Sequence, residues 1–147
     1  MEKHWKEVAL SKIDESARKL IHLAKEVQQK AYAPYSRYQV GSAIEDVNGN
    51  IHTGCNVENA SYSISICAER AAIAKMVSTG VTRLKRVAVI TLSKSPVFPC
   101  GSCLQMLHEM GGNEAVIFAV SANGERVHVS TIQQLFPSAF SKEDLNR

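Results

Sequence analysis

Apolar residues recur at Leu10, Ile13, Ala17, Leu20, Ile21, Ala24, Val27 and Ala31. Steps of mostly three and four residues put them on one stripe, so the segment predicts an amphipathic helix. Pro34 is its expected end, because proline cannot continue the hydrogen-bond ladder. The period then changes. "YQVGSAIEDVNGNIHTGCNVE" predicts two strands joined at Asn48-Gly49, a pair that favours a type I′ hairpin because both positions take positive φ. A helix is expected from about Ala68 to Thr79, stopped by Gly80. "VAVITL", residues 87–92, is β-branched and apolar, which predicts a buried strand. A further helix, from about Gly101 to Met110, ends at Gly111-Gly112, and "AVIFAVS" predicts another buried strand. Asn123-Gly124 turns the chain into "ERVHVS"; "TIQQLF" predicts a short helix, and "SKEDL" a last turn capped by Ser141 with Asp144 three residues on. This order predicts an α/β layered domain with a mixed sheet of about five strands covered by helices.

Composition narrows the function. A chain of 147 residues, 45% hydrophobic and 21% charged, fits a single domain over 1–147 with a usable core. A net charge of +3 without a long basic run argues against a nucleic-acid surface. The densest basic patch, "TRLKR" at 82–86, borders an apolar run and reads as a solvated strand entrance. "MEKHWKEVAL" has no apolar signal core, and no segment approaches the length of a membrane span, so a soluble, cytoplasmic protein is expected, without membrane or nucleic-acid partners. In that compartment four cysteines are more often ligands or catalysts than a disulfide framework.

The cysteines fall in "SICAERAAIAKM" and "PCGSC". Cys100 and Cys103 are one helical turn apart and so share a face. Cys67 stands just before the other helix. Each set of thiols is expected at a helix N-terminus, where the dipole and free N–H groups favour thiolate. Three thiolates can hold one Zn²⁺ per chain and leave a tetrahedral position open. Cys55 could supply a fourth ligand to a structural site, but it has no partner at ligand spacing and reads better as a strand residue. His108 reads as surface or core rather than ligand. Glu69 reads either as a first-turn carboxylate complementing the helix dipole or as a proton-transfer group beside the metal. Arg70 could offset the negative charge of three thiolates.

"CAERAA" with "PCGSC" resembles the cytidine deaminase family in its all-cysteine form. "YAPYSRYQVGSAI", "GCNVENASYS" and "LFPSAFSKEDL" resemble the short, nucleoside-acting members in the same order, from about Glu26 to Leu145. The resemblance implies a three-layer α/β/α sandwich and hydrolysis of cytidine and deoxycytidine to uridine and deoxyuridine with release of ammonia, in pyrimidine salvage. It implies Cys67, Cys100 and Cys103 as zinc ligands and Glu69 as the residue that moves protons from the attacking water to the ring and then to the leaving amine. It assigns Asn56 and Glu58 to the sugar, Ala68 to the base through its backbone, and Tyr38, where phenylalanine is usual, to a place beside the base. Phe140 and Tyr62 resemble aromatics at a boundary shared between subunits of a homotetramer.

The sequence departs from the family at Leu104, where arginine is usual, at Ser102, where alanine is usual, and at Ala71, where threonine is frequent. None of these is a ligand or the proton carrier. Three other readings compete: a deaminase of another small aminopyrimidine nucleoside or nucleoside antibiotic, a nucleic-acid editing enzyme, and a zinc-stabilised module without activity.

Overall fold

The computed structural model describes residues 2–145; Met1, Asn146 and Arg147 of the expected single domain lie outside them. In chain order the elements are β1 (Lys6–Ala9), α1 (Glu15–Gln28), β2 (Gly41–Asp46), β3 (Ile51–Cys55), α2 (Ala68–Ser78), β4 (Leu84–Ile90), α3 (Gly101–Gly111), β5 (Val116–Val120), β6 (Arg126–Thr131) and α4 (Ile132–Leu135). The strands form one six-stranded sheet in the order β1-β6-β5-β4-β2-β3. Only β4 and β5 pair in parallel, so the sheet is mixed.

Alternation along the strands builds a core on each face. Ala43, Ala88, Ile90, Phe118 and Val120 pack with Ala17, Leu20, Ile21 and Ala24 of α1. Their neighbours Ile44, Val87, Val89 and Ile117 pack with Ile73 and Met76 of α2 and Leu107 of α3. The result is the three-layer α/β/α arrangement. Gly54 sets the distance between β3 and α2: a Cβ there would overlap Ala72 N and Ala68 O. The first turn of α2 therefore rests directly on the sheet. Among the described residues no helix is long and apolar enough to cross a membrane.

Four sequence expectations are corrected. The sixth strand is β1, drawn from the polar N-terminus and paired antiparallel with β6; three of its four residues are exposed, so it carries little hydrophobic signal. The first helix begins at Glu15 rather than near Leu10, because Asp14 caps it by accepting from Ala17 N at 3.0 Å, while Leu10–Lys12 form a 3-10 turn. It ends at Gln28, well before Pro34. The chain leaves it to bridge Val57, with Tyr32 N donating to Asn56 O at 3.0 Å and Glu58 N to Tyr32 O at 2.8 Å. The Asn48-Gly49 turn has positive φ at Gly49 alone, so it is not type I′. Asp46 shapes it instead: Oδ1 accepts from Asn48 N at 2.8 Å and Asn50 N at 3.1 Å, and Oδ2 lies 2.7 Å from His52 Nε2.

Candidate active site

Cys67 and Cys100 occupy the N-cap positions of α2 and α3, both with extended backbone and neither with a side-chain capping bond. A cap usually presents an oxygen to its own helix; here each presents a free thiol outward. Cys103 lies one turn into α3 and is fully buried. The three sulfurs lie within 4.8 Å of one another, the one such cluster of potential ligands among the described residues. Sulfur donors at this separation, at two convergent helix N-termini, fit a single soft or borderline ion such as Zn²⁺. Cys55 ends β3 paired with Gly41 and is outside the cluster, as is His108, so a four-cysteine site is not formed.

The environment acts differently on the thiols. The hydrogen bond from Cys103 draws Cys67 down to about 6, with the Arg70 charge adding to that effect against burial and the Glu69 carboxylate. Cys103 is pushed well up, because it is the partner that keeps its proton and is buried beside Glu69. Glu69 sits in the first turn of α2, 5% exposed, and accepts a hydrogen bond from Cys103 Sγ at 3.1 Å. Cys67 at the cap is what lets a residue two positions on reach the same point as the ligands. Arg70 Nη2 donates to Ser65 O at 2.9 Å, and its Nε is buried without a partner.

Cys67, Glu69 and Cys100 open onto a cavity of about 730 Å³; Arg70 and Cys103 lie outside its lining. Cys67, Ala68, Glu69, Cys100, Asn56, Glu58, Tyr38 and Tyr62 all line it. That volume falls within the range of small-molecule pockets. Phe140 is outside it, 56% exposed, its carbonyl accepting from Gln105 Nε2 at 2.8 Å. Leu104, on α3, is buried in the core and does not line the cavity.

Asn56 and Glu58 lie just past β3 and hold the loop 35–40. Asn56 Oδ1 accepts from Val40 N and its Nδ2 donates to Tyr38 O, both at 2.8 Å. Glu58 Oε1 accepts from Tyr35 N at 2.9 Å and Ser36 N at 3.1 Å, and Oε2 accepts from the Ser36 hydroxyl. The Ser36 hydroxyl, then its backbone N–H, hold the Glu58 carboxyl below its ordinary value. Tyr38, whose hydroxyl needs a partner, finds Ser93 Oγ at 2.7 Å. Sequence reasoning singled out neither Ser36 nor Ser93. Both are small polar residues in loops, and their partners are distant in the chain.

Residues 14–120 match the profile of the cytidine and deoxycytidylate deaminase zinc-binding region. A cytidine deaminase of Sporosarcina psychrophila is 41% identical over 128 residues, covering 87% of this chain and 93% of its own length. One from Mycobacterium tuberculosis is 42% identical over 117 residues, covering 80% of this chain and 84% of its own. The crystal structure of the cytidine deaminase from Burkholderia pseudomallei superposes with a TM-score of 0.80 at 37% identity, covering 87% of this chain and 100% of that one.

Proposed function

The chain belongs to the cytidine and deoxycytidylate deaminase family, and from that premise we propose that it hydrolyses cytidine and deoxycytidine to uridine and deoxyuridine, releasing ammonia. The observation that carries this reading is the juxtaposition of a buried carboxylate, Glu69, with three clustered thiols, two of which, Cys67 and Cys100, line the same cavity as Glu69. Cys67, Cys100 and Cys103 would hold Zn²⁺. Bound there, the ion supplies Lewis acidity, which can bring the pKa of a water molecule to about 7.

Glu69 is the proton carrier in this reading. Its carboxylate takes one proton from the attacking water and gives it to the ring nitrogen; it then takes the second, from the hydroxyl formed at the ring carbon, and gives it to the departing amine as the carbonyl forms. One group serves both steps because they occur in sequence. Burial keeps bulk water from competing for those protons. The backbone of Ala68, at the start of α2, meets the base. Arg70, whose charge favours the Cys67 thiolate, moderates the charge of the thiolates.

Asn56 and Glu58 take the sugar. After holding the loop, Asn56 keeps one amide N–H, and Glu58 keeps about one of its roughly four lone-pair sites. One donor beside one acceptor suits a hydroxyl, which does both. Tyr38 offers a ring face to the base. Tyr62 is 72% exposed and Phe140 56%, as are neighbouring apolar side chains such as Ile64; partner subunits of a homotetramer would cover them. We place the enzyme in the cytoplasm, in pyrimidine salvage. Incubating the zinc-loaded protein with cytidine tests the reading: uridine and ammonia are expected one for one, and intact cytidine contradicts it.

A further inference from the structure

Two segments contribute to the lining of the cavity. One is the loop 35–40, which contributes Tyr35, Ser36 and Tyr38 to the lining. The other runs from Thr91 to Pro99 and delivers Cys100 to the thiol cluster. The first is not self-supporting: it contains no regular structure, and Arg37 holds positive φ at 56°, a conformation that L side chains adopt at a cost. Four of its amides, those of Tyr35, Ser36, Tyr38 and Val40, donate to side-chain oxygens rather than to a ladder. Two of these amides share Glu58 Oε1, one takes Asn56 Oδ1, and the last takes Ser36 Oγ, which is itself bonded to Glu58. The residues offered to the sugar are therefore also the posts on which the loop hangs.

The second segment is anchored independently of the loop 35–40. Ser93 N donates to Thr91 Oγ1 at 3.2 Å, and Ser93 O accepts from Ala122 N, in the turn between β5 and β6, at 2.9 Å. Its hydroxyl meets the Tyr38 hydroxyl at 2.7 Å. This bond spans 55 residues of sequence and joins the two walls.

We propose that Ser93 is a positioning residue for substrate, which through Tyr38 fastens the loop 35–40 to the fixed wall of the cavity. This deepens the proposed function and rests on it. Asn56 and Glu58 hold the loop with the same side chains they offer to the sugar, whereas Ser93 holds it from a point the sugar does not touch. Ser93 itself does not line the cavity.

The test combines steady-state kinetics on cytidine with amide exchange of the substrate-free, zinc-loaded protein, read on a peptide spanning 35–40. Ser93→Ala is expected to raise KM about fivefold, the loss of one hydrogen bond, with kcat within about twofold. It should also speed exchange of that peptide while leaving α2 and α3 unchanged. Tyr38→Phe should match it on both readouts, the double variant should be no worse than either single, and Ser93→Thr should restore the wild-type values. Unchanged exchange and KM in Ser93→Ala, or single effects that multiply in the double variant, would overturn the proposal. If the wild type turns over no cytidine, the deaminase reading fails, and the exchange comparison alone decides the tether.

Discussion

Cys103 donates its thiol to Glu69 Oε2 at 3.1 Å, a contact between the first turns of two different helices. A carboxylate this buried needs a donor. When Cys103 gives up its proton to become a ligand, that donor disappears and the carboxylate is left with an open acceptor beside the ligands. In the proposed reading, loading the site and arming the proton carrier would be two consequences of one deprotonation.

Removing a ligand should empty the site. Cys100→Ala and Cys103→Ala are expected to lower bound zinc from one per chain to near zero, whereas Cys55→Ala, outside the cluster, keeps it. Metal content after dialysis decides this. Full zinc in Cys103→Ala would remove the cluster from the metal's coordination.

Glu58→Ala should weaken substrate binding twice over, by deleting a sugar contact and by releasing the loop 35–40. Hydrogen bonds to a charged group are worth about 1.5–3 kcal/mol, so KM should rise about tenfold or more. An unchanged KM for cytidine would show that Glu58 neither meets the sugar nor holds the loop in a way that matters.

Much of the site was legible because its chemistry depends on short spacings. Two helix starts can be read from "CAER" and "PCGSC", and thiols at those starts imply a shared ion. The part that Asn56 and Glu58 play in holding the loop was not legible. Their partners are backbone N–H and C=O groups of residues about twenty positions earlier, and backbone groups leave no mark in a sequence. The same reason hid the end of α1, which is set by Tyr32 pairing with Asn56 and not by Pro34. β1 was missed because a mostly exposed edge strand is held by its pairing with β6 and carries almost no apolar pattern. Leu104, which looked like a change in the metal's surroundings, proves to be a core residue of α3.

Gly54→Ala tests the packing that sets α2 on the sheet. The added methyl must displace helix backbone at Ala68 and Ala72, so a stability loss of about 1–3 kcal/mol is expected. Because Cys67, Ala68 and Glu69 ride on that turn, activity should fall further than the melting temperature alone explains. Wild-type stability would show that β3 and α2 do not touch there.

Asp14 gives the fold an acid-sensitive component. The Ser16 hydroxyl, then Ala17 N–H and Arg86, hold its carboxyl down to about 2, below the ordinary value near 3.8. A lowered folded-state pKa stabilises fully above the unfolded value and is lost as pH falls through the folded one. Asp14→Ala should therefore cost about 1 kcal/mol near neutral pH, the usual effect of losing a cap. The difference from wild type should shrink as pH drops from about 4 toward about 2. Urea unfolding of both proteins across that range checks it; a difference that persists at the acid end contradicts the assignment.

Glu69, in the proposed reading, moves the protons of deamination beside a metal it does not hold. The most direct test is loss of cytidine absorbance with zinc-loaded wild type and Glu69→Ala, each assayed for bound zinc. The expected result is turnover by the wild type, a loss of about a thousandfold or more in the variant, and one zinc per chain in both. Comparable turnover in Glu69→Ala with zinc retained would contradict the account.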